Sequence, residues 1–325
     1  MNLFQEEEIR KFVAVNEKAI QIVEDGFTAL ASGNVTLPPI MRIDIPENNG
    51  EIDVKTAYIK GLDTFAIKIS SGFFNNPILG LPSLSGMMIL FNTTTGLTES
   101  ILLDNGYLTD VRTAAAGAVA AKYLAKQKIQ NVGVIGTGIQ ARYQIEALSK
   151  VRKFDTIQVY GRNEEAAHKY AAEMEANLGK KVIIAKSPEQ VVKESEVVVT
   201  TTPATSPIIK AEWLHPGLHI TAMGSDAEHK QELDAKIFGQ ADLIVCDVKS
   251  QVFRLGELHH AKEQNILHDD SAILEIGEIT AGLKNGREND QQITVCDLTG
   301  TGVQDTVIAR FAYEQLMTRN KEFQL

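Results

Sequence analysis

The stretch Asn131-Val132-Gly133-Val134-Ile135-Gly136-Thr137-Gly138-Ile139-Gln140-Ala141 is an apolar run that breaks into a Gly-x-Gly-x-x-Ala turn near the middle of a 325-residue chain. Val132, Val134 and Ile135 read as a buried parallel strand, and helical periodicity begins at Gln140. In that setting Gly136 permits the tight turn and Gly138 lets backbone come close to a pyrophosphate. Ala141 keeps the following helix near the sheet, so the helix N-terminus faces the anion. Such a glycine pattern says little by itself; the strand-turn-helix context gives it weight.

The next strand ends at Val159-Tyr160-Gly161-Arg162-Asn163, about twenty residues past the turn. An NAD-preferring site usually carries Asp or Glu there to hold the ribose 2′-hydroxyl. Gly161 and then Arg162 occupy the place instead. A guanidinium has the charge and fork geometry for a 2′-phosphate, so NADPH is the expected cofactor, with NADH a possibility; the alternative is a surface arginine at a strand end.

The length allows two domains, and 44% hydrophobic with 23% charged residues is ordinary for a globular protein. A net charge of −10 argues against nucleic acid or an anionic membrane as partner. If the substrate is itself an anion, basic residues must be gathered locally against that field. Two cysteines, Cys246 and Cys296, make a disulfide framework implausible. No apolar segment reaches the roughly 18 residues of a membrane helix, and the start Met1-Asn2-Leu3-Phe4 lacks a signal-peptide pattern. A cytoplasmic protein is expected.

Helical spacing covers residues 5 to 32, with Asn16 as cap of a second short helix and Gly33 as its end. From 35 to 105 strands and turns dominate: Met41–Ile45, Phe65–Ile69, Gly86–Phe91, a turn at Thr94-Thr95-Gly96, then Thr98–Leu103. A mixed or antiparallel sheet is expected there. An alanine-rich helix over Thr113–Ala125 leads into the strand at 131. Strands at Val197–Thr201, His219–Met223 and Leu243–Asp247 continue an alternating pattern to about residue 300, the mark of a doubly wound parallel sheet. Asp305–Thr318 reads as a final amphipathic helix returning to the first domain. The fold class is therefore α/β, a Rossmann domain over 116–304 plus a smaller α+β domain from 1–115 and 305–325.

Three cations stand among apolar neighbours in the first half: Arg42, Lys68 and Arg112. Singly, Arg42 or Lys68 fits the outward face of a strand. Arg112 at an expected helix start, where the dipole disfavours a cation, tilts the set toward one shared carboxylate ligand. Asp226, in Ala222-Met223-Gly224-Ser225-Asp226, follows an apolar strand and should sit at the carboxyl edge of the sheet, where such folds bind ligands. It could pair with a substrate nitrogen or exchange a proton with it; the plainer alternative is a loop aspartate or helix cap. His229 and Lys230 read as loop residues, and no His/Cys spacing suggests a metal. Thr200-Thr201-Thr202-Pro203 ends another parallel strand in a place suited to the cofactor's ribose or nicotinamide. The glycine-rich Asp297–Asp305 turn is expected to wall the pocket and cross between domains.

At these residues the chain resembles the ornithine cyclodeaminase/mu-crystallin family. The resemblance rests on Lys68 with Gly80-Leu81-Pro82-Ser83, on Thr95-Gly96, on Leu108-Thr109-Asp110-Val111-Arg112-Thr113-Ala114-Ala115, and on Gly136–Ala141. Gly224-Ser225-Asp226 and Asp297–Gly302 complete it, in order along nearly the whole length. It implies a substrate-binding and dimerisation domain completed by the C-terminal helix, and an NAD(P)-binding Rossmann domain. It carries the substrate-carboxylate role to Arg42, Lys68 and Arg112, and the catalytic role to Asp226. Cofactor contact is implied for Thr113, Gly136, Thr137, Gly138, Ile139, Gln140, Ala141, Gly161, Arg162, Asn163, Thr201, Thr202, Met223, Gly224, Ser225 and Gly300.

The chain departs from the cyclodeaminases it resembles. They carry an acidic group for the substrate's distal amine shortly before a Met-Pro that precedes the lysine; here the segment is Gly50-Glu51-Ile52-Asp53-Val54-Lys55-Thr56-Ala57. Met-Pro is absent, Lys55 is basic, and the service of Glu51 or Asp53 is open. The expected activity is therefore reduction of a cyclic imino acid, Δ1-pyrroline-2-carboxylate, to L-proline by a homodimer, with its six-membered homologue a further candidate substrate. Ornithine cyclodeamination, open-chain reduction as in alanine dehydrogenase or iminosuccinate reductase, and mu-crystallin-like NADPH-dependent binding are the competitors.

Overall fold

The computed structural model describes residues 1–267 and 270–322; residues 323–325 of the expected first domain lie outside them. Two compact units emerge, Met1–Arg112 with Thr301–Leu325, and Thr113–Gly300. In chain order the first elements are β1 (Asn2–Gln5), α1 (Glu6–Arg10), α2 (Glu17–Ala31), β2 (Val35–Thr36), β3 (Met41–Ile45) and β4 (Gly50–Ile59). Then come β5 (Thr64–Phe73), β6 (Leu84–Asn92), β7 (Thr98–Leu103) and α3 (Tyr107–Leu124). The second unit continues with β8 (Asn131–Ile135), α4 (Ile139–Val151), β9 (Thr156–Tyr160), α5 (Glu164–Leu178), β10 (Lys181–Ile184) and α6 (Pro188–Lys193). It goes on through β11 (Val197–Thr200), β12 (Thr205–Ile209), β13 (His219–Ala222), β14 (Gln231–Leu233), β15 (Leu243–Cys246), α7 (Lys249–Leu255) and α8 (Glu257–Glu263). The chain closes with β16 (Leu274–Glu275), α9 (Ile276–Thr280), β17 (Thr294–Asp297) and α10 (Gly302–Glu322).

The first unit is built on a seven-stranded sheet in the order β1-β7-β6-β5-β4-β2, with β3 also on β4. Only β1 joins in parallel, beside β7. Alternation decides what is buried. Lys55, Ala57 and Ile59 of β4 and Thr64, Ala66 and Lys68 of β5 all turn inward. Lys55 stands directly opposite Lys68 and Ala57 opposite Ala66. Helix α10 covers this face, packing on β4, β5 and α2. Its first residue, Gly302, lies so close to the carbonyl of Thr56 that a side chain would overlap it. One turn on, the Thr306 hydroxyl donates to the Ala57 carbonyl at 2.8 Å and accepts from the Ala66 amide at 3.2 Å. Asn16 caps α2 through its side-chain oxygen, which accepts from the Ala19 amide.

Two local expectations change. Helix α3 begins at Tyr107, not Thr113, with the Asp104 carboxylate accepting from the Leu108 amide at 2.8 Å. Arg112 therefore lies in the helix's second turn, and the dipole argument applied to it does not hold. The final helix also starts earlier, at Gly302, and runs further, to Glu322. Strand β1 was not foreseen; four residues at a chain start give alternation too little length to be read.

The second unit holds an eight-stranded, wholly parallel sheet, ordered β10-β9-β8-β11-β13-β17-β15-β16. The chain order reverses between β8 and β11, so their carboxyl ends flank the switch point at which doubly wound sheets bind ligands. A two-stranded parallel pair, β12 with β14, interrupts the expected strand-helix alternation. Val132, Val134, Ile157, Val159, Val197 and Val199 are buried on the sheet, under Ala141, Ile145 and Tyr170 of the helices. The α/β class with a doubly wound parallel sheet and an α+β companion is the architecture observed.

The seat of α10 gives a test of the first unit. Gly302→Ala forces a methyl group into the Thr56 carbonyl, and overpacking of this kind costs about 1–3 kcal/mol. A lowered urea midpoint with unaltered slope is the expected result.

Candidate active site

In the first unit two basic side chains pair with one carboxylate. Lys68 Nζ lies 3.3 Å from Asp305 Oδ2, and Arg112 Nε 2.9 Å from Asp305 Oδ1. All three are buried, Lys68 at 2% exposure. Lys55, buried and across the ladder from Lys68, adds a third positive charge acting on both Lys68 and Asp305. Burial works to raise the Asp305 carboxyl, but Arg112, Lys68 and Lys55 outweigh it and hold it below the usual range. Burial, joined by the charges of Arg112 and Lys55, pulls the Lys68 ammonium down to about 7, with Asp305 resisting. Asp104, buried beneath α3, is pushed by burial to about 6 despite its amide donors and Lys68. A small carboxylate entering here would relieve the pressure on Lys68, so the chemistry of the cluster is that of an anion grip.

Arg42 shares the sheet face, opposite Asp53 in the ladder, but has its own anions. Its Nη2 pairs with Glu51, its Nε with Asp44 at 2.8 Å, and Asp53 lies 3.9 Å from Nη1. The structure thus brings Lys68 and Arg112 to one carboxylate and ties Arg42 to three others. Glu51 and Asp53 are correspondingly engaged.

In the second unit the residues after β8 have the form a dinucleotide needs. Gly136 has φ +122°, a backbone that side chains disfavour, and a Cβ there would strike the Thr201 hydroxyl. Above Gly138 the space is open. Helix α4 starts with no side-chain cap, and Ile139 is exposed while Ala141 is fully buried. Arg142 donates to the carbonyls of Thr137 and Gly138, at 2.5 and 3.0 Å, steadying the turn. Gly161 is close enough to Thr137 that a Cβ would come within 2.6 Å of its methyl. Uncapped amides, a glycine cradle and open space fit a pyrophosphate. Arg162 is exposed at the end of β9, and Asn163 is spent as the α5 cap, accepting from the Ala166 amide.

The remaining expected cofactor residues lie in the same unit with visible local duties. Thr113 offers its carbonyl to Gln144, which also reaches Gln140. The Thr201 amide donates to Ile135, and the Met223 amide to Thr200. The Thr202 and Gly224 amides both donate to Glu232. Ser225 donates to the Lys230 carbonyl, and the Gly300 amide donates to Asp247 at 2.7 Å. Asp226 follows β13 as expected and pairs with Lys230, Oδ1 to Nζ 2.6 Å, its side chain 44% exposed.

Sequence reasoning passed over Lys55, Asp305, Lys230 and Glu232. Lys55 was available from alternation, sharing parity with Ala57 and Ile59. Lys230 was available from its four-residue spacing to Asp226. Nothing local marks Asp305 or Glu232, whose importance comes from partners far along the chain. Among the described residues the three groups that could approach one ion are His259, His260 and Glu263. No helix among the described residues is long and apolar enough to cross a membrane.

Comparison with known proteins places these features. The profile of the ornithine cyclodeaminase/mu-crystallin family matches residues 2–320, and the chain belongs to that family. An uncharacterised cyclodeaminase of Sinorhizobium fredii is 49% identical over 321 residues, spanning 98% of this chain and 97% of the relative. The solved Δ1-pyrroline-2-carboxylate reductase of Thermococcus litoralis, in complex with NADH and L-proline, superposes with a TM-score of 0.93 at 30% identity, over 98% of both chains. An archaeal alanine dehydrogenase dimer with bound NAD gives 0.91 at 34%, over 98% and 97%. The chain is a nicotinamide-dependent oxidoreductase of this imine-reducing kind.

The ionisation of Lys68 makes the anion grip depend on pH. Raising pH through about 7 removes the ammonium proton, so affinity for a small carboxylate should fall by about tenfold per unit above that point. Lys68→Arg keeps its charge and should flatten the dependence. Calorimetric titration with a carboxylate between pH 6 and 9 checks both.

Proposed function

We propose that the protein reduces the C=N bond of a cyclic imino acid, Δ1-pyrroline-2-carboxylate, to L-proline with NADPH. The observation that carries the reading is the buried cluster of Lys68, Arg112 and Lys55 about Asp305. Lys68 and Arg112 hold the substrate carboxylate, each charge-assisted bond contributing about 1.5–3 kcal/mol. The fixed carboxylate orients the imine carbon, the positional part of the catalysis. Gly136, Gly138 and the start of α4 hold the pyrophosphate, and Arg162 the 2′-phosphate. A bound nicotinamide supplies the hydride that the imine carbon accepts. Asp226 places a proton on, or stabilises it at, the ring nitrogen, a role worth about 10²–10⁴-fold. Its exposure leaves it open to exchange with water, and Lys230 holds its carboxylate in place.

Ornithine cyclodeamination fits less well. The acids available for a distal ammonium, Glu51 and Asp53, are held by Arg42, and Lys55 adds a like charge. An open-chain imino acid is the second reading, favoured by the 34% identity to the archaeal alanine dehydrogenase. The dimer of that relative also supports a homodimer here, through the apolar side chains the first unit exposes at Met41, Ile43, Ile78, Leu79 and Leu84.

Loss of NADPH absorbance should follow addition of Δ1-pyrroline-2-carboxylate, with kcat/KM about tenfold or more above that for pyruvate with ammonia. The reverse order hands the assignment to the open-chain reading, and ornithine releasing ammonia without added reductant hands it to the cyclodeaminases. Asp226→Ala should lower turnover by about 10²–10⁴-fold while dinucleotide affinity stays. Arg162→Ala should weaken NADPH and spare NADH; equal losses for both would remove the phosphate contact.

A further inference from the structure

Among its described residues the second unit buries four carboxylates completely, Glu232, Asp247, Glu257 and Asp297. Glu232 differs from the rest because its donors come from two ligand-facing loops. Its Oε1 accepts from the Thr202 amide at 2.6 Å. Its Oε2 accepts from the Thr200 hydroxyl at 2.6 Å and the Gly224 amide at 2.8 Å. Thr200 ends β11 and Gly224 follows β13, its neighbour in the sheet. Glu232 is itself braced: its own amide donates to Glu257 Oε1 at 2.7 Å, and the start of α8 is held by Asp297, which accepts from the Leu258 amide at 2.9 Å. The contact also explains a glycine. A Cβ at Gly224 would lie 2.6 Å from the Glu232 carboxylate and overlap the Thr202 carbonyl.

We propose that Glu232 is the positioning residue of this sheet edge, locking the loop at 200–202 to the loop at 223–226 and so fixing where Asp226 and the nicotinamide-facing backbone stand. For what is positioned, the inference rests on the proposed function; for the lock itself it rests on the hydrogen bonds. Both oxygens of Glu232 act as acceptors, so an amide of the same shape cannot replace it. Glu232→Gln turns an NH2 toward a backbone N–H whichever way it flips, that of Thr202 or that of Gly224. The substrate carboxylate, assigned to residues of the first unit, is not among its partners.

The test measures kcat, imino-acid KM, dinucleotide affinity by NADPH fluorescence and the urea midpoint on the full-length enzyme. Glu232→Gln should lower kcat by about 10–100-fold with imino-acid KM within about twofold, and weaken NADPH several-fold. Wild-type kcat per folded molecule, or a rise in KM alone, overturns the proposal, even if stability drops. Should Glu232→Gln fail to fold, Thr200→Val decides, because it removes one donor at nearly constant shape. A fall in kcat of about 3–10-fold at retained KM supports the lock, and unchanged kcat refutes it. If the wild type binds NADPH yet reduces no imino acid, the proposed function fails separately. The lock then stands or falls on whether the two variants lose dinucleotide affinity.

Discussion

The ion pairs of Asp305 with Lys68 and Arg112 set the terms for the first unit. An ammonium and a guanidinium in a dry interior are tolerable only with an anion at hand, and removing one member of such a group leaves a buried charge costing about 3–5 kcal/mol. The anion comes from α10, so the helix serves as counter-ion as well as cover. Its seat is determined by contacts that have nothing to do with charge: Gly302 against Thr56, and Thr306 inserted beside Ala57 and Ala66. Packing precision thus becomes electrostatic precision. In a chain of net charge −10, Lys55, Lys68 and Arg112 are gathered about one buried carboxylate.

Much of the fold was legible in local pattern. The glycine turn after β8, the cap at Asn16 and the apolar β-branched runs of β11 and β13 each follow from short-range chemistry. The rest depended on partners that local pattern does not show. Alternation shows that Lys68 shares a face with Ala66, but only α10, from the far end of the chain, decides that this face is interior. Arg112 was judged by distance from a helix start that was misplaced, because Asp104 and Tyr107 open the helix before the alanines begin. Gly224 is expected at the cofactor, and its lack of a side chain is also required by Glu232 and Thr202. Asp226 was singled out without Lys230, although the two are one helical-type spacing apart and form an ion pair.

The second unit uses buried acids differently. Glu257 accepts the Glu232 and Leu233 amides of β14, while Glu232, Asp247 and Asp297 receive backbone amides from loops and a helix start at the carboxyl ends of the parallel strands. Those amides have no ladder partner where the sheet gives way to loops, and each would cost free energy if left bare. Burial raises all four acids, Asp297 to about 8, so Asp297 does not carry its full charge at neutral pH. A scaffold of acceptors results at the carboxyl edge of the sheet.

The division of the first unit between residues 1–112 and 301–325 has a consequence for how the protein is made. On the ribosome, β4 and β5 emerge long before α10, and all of Thr113–Gly300 is synthesised in between. Until α10 has emerged, Lys68 and Arg112 lack their counter-ion and the inward face of the sheet lacks its cover. The parallel-sheet unit can mature while still tethered, but the other must wait and close by long-range chain return, the slow and aggregation-exposed kind of step. Nascent chains of this protein therefore carry an open, cation-bearing sheet until α10 emerges.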